Sequence, residues 1–86
     1  MTFDQWIDTV NAQVKGRLGA GVRTEELSWD SAMWVGGGGT VVAALAEDEA
    51  TVAFSFDDGE KLQMAYNDAA PESVGATIAK RLTSAA

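Results

Sequence analysis

The sequence predicts an α+β domain: one helix, a three- or four-stranded antiparallel meander, then a second helix, with both helices on one face of the sheet. Three observations predict it. Apolar residues recur at three-four spacing over residues 3–18. Residues 40–66 alternate apolar with small or polar side chains, and two acidic turns interrupt the run. Val74, Ile78 and Leu82 make a second, narrower stripe. Eighty-six residues, 47% of them hydrophobic, suffice for a single domain over 1–86 with one modest core.

The first helix takes residues 3–18, with Phe3, Trp6, Ile7, Val10, Val14 and Leu18 on its apolar stripe. Thr2 and Gln5 match a capping box, and Met1 and Trp6 sit at staple positions. Asp4 suits the positive end of the helix dipole; Lys15 and Arg17 suit the negative end. Gly19 is the expected stop. Residues 19–31 read as an irregular connection, in which Thr24-Glu25-Glu26-Leu27 resembles the start of a short helix capped by Thr24. A first strand follows at 32–35, with Met33 and Val35 sharing a face with Trp29. Gly36–Gly39 read as a mobile loop, because four glycines have no side chains to pack.

The meander occupies 40–66, with strands at 40–46, 51–56 and 60–66. Turn chemistry sets the register of its last hairpin. A two-residue Asp58-Gly59 turn would place Phe56 opposite Lys61 and mix the two faces. A three-residue Asp57-Asp58-Gly59 loop, with Gly59 left-handed, places Phe54 opposite Leu62 and Val52 opposite Met64. The second register agrees with the hydrophobic pattern. Val52, Phe54 and Phe56, with Leu62, Met64 and Tyr66, then face inward. For the strand at 40–46 the pattern leaves two options: Val41 and Leu45 inward, or Val42 and Ala46. The second helix takes 69–83, with Asp68 as its cap, Pro71 in its first turn and Lys80 and Arg81 near its end. Gly75 and Ala79 give it a small face for close approach to another element. Ser84-Ala85-Ala86 are expected to be loose.

Histidine and cysteine are absent, which removes the usual nucleophile systems and the usual zinc and iron sites. No catalytic, metal-binding or cofactor-binding residue is assigned, and the chain reads as non-enzymatic. Glu47-Asp48-Glu49 and Asp57-Asp58-Gly59-Glu60 lack the alternating ligands of a calcium loop and read as charged turns. They fall at opposite ends of the sheet, roughly 20 Å apart, too far to share an ion. The glycine run is no phosphate loop, since no lysine follows it and a strand comes next.

Thirteen acids against six bases give a net charge of −7. That weighs against nucleic acid and against an anionic membrane surface as partners. The opening Met-Thr-Phe-Asp-Gln-Trp has no basic or apolar leader segment, so the expectation is a cytoplasmic protein. With helices on one face, the other face carries Thr51, Ala53 and Ser55, then Lys61, Gln63 and Ala65. Val42 and Ala44 join it under the first strand option. This flat, nearly uncharged surface reads either as an interface or as an ordinary solvated face. Trp29 and Trp34 flank the irregular segment, and each reads as a surface anchor or as core.

Phe3, Trp6, Val10, Val14, Leu18-Gly19, Thr24-Glu25-Glu26-Leu27 and Trp29-Asp30 resemble the opening of small uncharacterised actinobacterial phage proteins. The resemblance covers the first third of the chain and carries no activity or site with it. It implies a phage accessory protein that binds a host protein. The expected function is thus a small acidic protein-binding module acting in host interaction or anti-defence, with a host protein or a second copy as partner and a homodimer as the expected state. An assembly protein acting as a homo-oligomer through the same face is the alternative, and a DNA-mimic inhibitor is more remote because the acids are scattered.

Overall fold

A computed structural model of the chain describes residues 2–83. Helix α1 (Phe3–Leu18) leads by a 3-10 turn at Gly19–Gly21 into five strands: β1 (Val22–Leu27), β2 (Ser31–Gly36), β3 (Gly39–Leu45), β4 (Thr51–Phe56) and β5 (Lys61–Ala65). A 3-10 turn at Tyr66–Asp68 precedes helix α2 (Pro71–Thr83). The strands lie in sequential order in one antiparallel sheet. Both helices pack side by side on the same face of it.

Local chemistry accounts for the ends of α1. The Thr2 hydroxyl accepts from the Gln5 N–H at 3.2 Å, and the Gln5 side chain accepts from the Thr2 N–H at 3.1 Å. Gly19 closes the helix at φ 53°, a conformation that favours glycine. The staple between Met1 and Trp6, and the tail at 84–86, lie outside the described residues. Helix α2 starts two residues later than the pattern predicts. Asp68 sits in the preceding 3-10 turn and does not cap the helix, and Pro71 is the first helical residue.

The fifth strand is the largest departure from the sequence reading. Residues 22–27 extend along β2 instead of starting a helix. The pairing slips between Thr24 and Glu26, a bulge that leaves Glu25 without an opposite residue. The Thr24 hydroxyl donates to Asn11 Oδ1 of α1 at 2.8 Å, so it ties the strand to the helix instead of capping a turn.

The glycine run is also not a four-residue loop. Gly36 pairs with Gly39, so only Gly37 and Gly38 form the turn between β2 and β3. Close approach explains Gly36. A Cβ on Gly36 would lie 3.0 Å from the Cβ and 3.2 Å from the carbonyl oxygen of Leu82. The Gly38 N–H donates to that same carbonyl. The end of α2 therefore sits directly on the hairpin.

The core lies between sheet and helices. Trp6, Ile7, Val10 and Val14 from α1 and Ile78 and Leu82 from α2 meet Ala32, Trp34, Val41, Ala43, Val52 and Phe54. Val41 and Ala43 are inward, which settles the strand the pattern left open. The β4–β5 register is the three-residue one: Phe54 faces Leu62, Val52 faces Met64, and Gly59 adopts φ 86°. Trp6 donates from Nε1 to the Ala69 carbonyl at 3.0 Å, and Phe3 meets Tyr66 edge-on with centroids 5.3 Å apart.

Candidate functional site

Among the described residues, no helix lies on the outer face of the sheet. Cross-strand pairs set its layout. Ser31 lies beside Ala44, Ala44 beside Ala53, and Ala53 beside Gln63. In the next row Met33 lies beside Val42, Val42 beside Ser55, and Ser55 beside Lys61. Thr51 pairs with Ala65 at the margin. All six predicted sheet residues therefore share this surface, and Thr51, Ala53 and Ser55 are half-buried while Lys61, Gln63 and Ala65 are exposed.

Met33 and Val35 extend the surface across β2, and the sequence reading did not include them. The signal was the alternation within Ser31–Gly36, where Ala32 and Trp34 take the opposite side. Val42, 39% exposed, stands at the centre beside Met33. Lys61 is the one charged side chain that β2 to β5 put on this face. Charge collects along β1, where Arg23 and Glu25 form an ion pair.

The two tryptophans separate. Trp34 is fully buried and donates from Nε1 to Asn11 Oδ1 at 2.8 Å, so it is a core residue and no surface anchor. Trp29 is 64% exposed in the β1–β2 turn. It borders a depression with Leu45 and Glu49 at the end of the sheet, near Phe3 and Tyr66, away from the outer-face rows.

The acidic turns use their carboxylates locally. Asp48 accepts from the N–H groups of Ala50 and Thr51 at 2.9 and 3.0 Å and from the Thr51 hydroxyl at 2.9 Å. These bonds, the Ala50 N–H first, hold its carboxyl below the ordinary value of 3.8. The Glu60 N–H does the same for Asp58, with help from Arg81. Arg81 also pairs with Glu60, which with Asp58 raises the guanidinium further, and it lies 4.4 Å over the Phe56 ring. Asp57 accepts from the Thr40 N–H at 2.9 Å. No group of acids among the described residues is arranged to hold a metal ion.

The lowered carboxyl of Asp48 links folding stability to acid pH. Its folded value is lowered, so its contribution is present above 3.8 and is lost as pH falls through the folded value. Asp48→Asn should lower the urea midpoint at pH 7 and flatten its decline between about pH 5 and pH 2. Parallel decline in variant and parent would show that Asp48 contributes nothing.

Family models, curated proteins and solved structures give no match to the chain. No helix among the described residues is long and apolar enough to cross a membrane.

Proposed function

We propose that the protein is a small acidic, non-enzymatic binding module that seats a protein partner on the outer face of its sheet. The observation that carries this reading is the uncovered patch on the central strands, where Met33 and Val42 from one row adjoin Ala44 and Ala53 from the next. Small apolar side chains there let another surface approach closely, and little charge has to be desolvated.

Size bears on the kind of partner. Five strands about 4.8 Å apart and about 20 Å long make a face of roughly 480 Å². A standard interface takes about 800 Å² from each side. The rim must then take part, and the acidic turns at the two ends of β4 form it. A partner with basic groups around an apolar centre fits this arrangement, and its association should slow as salt rises. The resemblance of the first third to phage proteins favours a host protein, which the module inhibits or redirects.

Ala53→Arg tests the reading. It places a long charged side chain between Ala44 and Gln63, where the backbone pairing is unaffected. Immobilised parent protein should retain a specific protein from an actinobacterial host lysate. The variant should retain about tenfold less at an unchanged thermal midpoint, a difference of about 1.4 kcal/mol. Equal retention by both would remove the outer face as the site.

A further inference from the structure

We infer that β5 is a self-pairing edge, and that a second copy of the chain adds to it antiparallel across a two-fold axis at Gln63. The two edges of the sheet differ. β1 carries a bulge and three charged residues, Arg23, Glu25 and Glu26, which blunt an edge against pairing. β5 pairs with β4 without a slip and contains neither proline nor bulge. Its single charge, Lys61, stands at its start.

Main-chain direction is set by the β4–β5 bonds. The Glu60 carbonyl accepts from the Phe56 N–H at 3.0 Å, and the Tyr66 N–H donates to the Ala50 carbonyl at 3.2 Å. Leu62 and Met64, opposite Phe54 and Val52, have the same parity and also turn their main-chain groups toward β4. Lys61, Gln63 and Ala65 therefore turn theirs outward. Among the described residues, no main-chain group pairs with that side.

The side chains are self-complementary in one register. With Gln63 opposite Gln63 of the second copy, Lys61 falls opposite Ala65 and Ala65 opposite Lys61. All three outward residues then form hydrogen-bonded pairs, about six bonds in all. Leu62 falls opposite Met64 at the closer, non-hydrogen-bonded positions, where apolar side chains gain most. A two-fold axis at Lys61 instead sets two like charges opposite each other. Leu62 is 40% exposed although it points to the helix side of the sheet, and Met64 is half-buried beside Val52, in the same depression as Leu62 and Val74. Pairing covers both. It leaves the outer face open, so a paired module presents two such faces on one continuous sheet.

Hydrogen exchange on the full chain tests this without relying on a variant. At tens of micromolar protein, light scattering should give a dimer. The amides of Lys61, Gln63 and Ala65 should exchange at least about tenfold slower than after dilution to monomer. Those of Leu62 and Met64 should stay protected at both concentrations. Gln63→Pro removes one outward N–H, which an edge strand tolerates. It should give a folded monomer, whereas Ala53→Arg should remain a dimer. A monomer throughout overturns the inference, as does a dimer in which the Lys61, Gln63 and Ala65 amides exchange freely. Loss of the dimer in Ala53→Arg alone overturns it too, since the second copy would then sit on the outer face.

Discussion

Trp34→Ala is expected to cost about 3–5 kcal/mol, the usual range for removing a large buried aromatic side chain. The residue is fully buried on β2 and faces α1. Its removal leaves a cavity between sheet and helix. It also takes away a donor from Asn11 Oδ1, which accepts from both Trp34 Nε1 and the Thr24 hydroxyl. A domain of this size has roughly 4–13 kcal/mol of total stability. The variant should therefore be marginal at best, with a urea midpoint far below the parent's. Asn11→Ala is the companion measurement. It spares the packing but leaves the indole N–H unpaired, at about 1–3 kcal/mol. A loss below about 1 kcal/mol in Trp34→Ala would sink the assignment of Trp34 to the core.

Gly75→Val is expected to destabilise by about 1–3 kcal/mol through overpacking, although glycine is a poor helix former. The reason is the crossing of α1 and α2. A Cβ on Gly75 would collide with the Gln13 Cβ and lie 3.2 Å from the Val10 carbonyl oxygen. Both atoms belong to the frame of α1, so neither can swing aside. Gly16 is the internal comparison: it is also helical, and a Cβ there meets open space. Gly16→Ala should gain up to about 1 kcal/mol from helix propensity alone. Thermal or urea unfolding of the pair should show opposite signs. Equal signs would mean that the helices do not cross at Gly75.

The residues explain which parts of this architecture were legible beforehand. The β4–β5 register was readable because two independent signals agreed, the left-handed Gly59 and the facing rows Val52-Phe54 and Leu62-Met64. The small face of Gly75 and Ala79 was readable because small residues at helical spacing permit close approach. β1 was not, because Thr24-Glu25-Glu26 carries the local chemistry of a helix start, and tertiary pairing with β2 overrides it. The glycine run misled for a related reason. Its composition signals freedom, but Gly36 is glycine because Leu82 lies against it, a contact invisible to local reading.

The candidate surface was half legible. Alternation sorted β4 and β5 into two faces correctly, whereas the contribution of β2 was hidden by the irregular segment before it. The exposure of Leu62 could not be read from pattern at all. Two helices side by side cover about 20 Å, whereas five strands are about 24 Å wide, so the inner face is not covered completely. Leu62 on β5 and Leu27 at the end of β1 stay exposed on the helix side, and alternation says nothing about which positions these will be.

The sequential order of the five strands has a kinetic consequence. Every strand pairs with its neighbour in the chain, so the sheet can close one short loop at a time at little entropic cost. The pairing of α1 with α2 is different, because it joins the two ends of the chain across the whole sheet. Such a contact belongs late on the folding path. The penalty of Gly75→Val should then fall mainly on the unfolding rate and hardly touch refolding. The two terminal helices thus act as a clasp that sets how long the molecule stays folded, more than how quickly it folds.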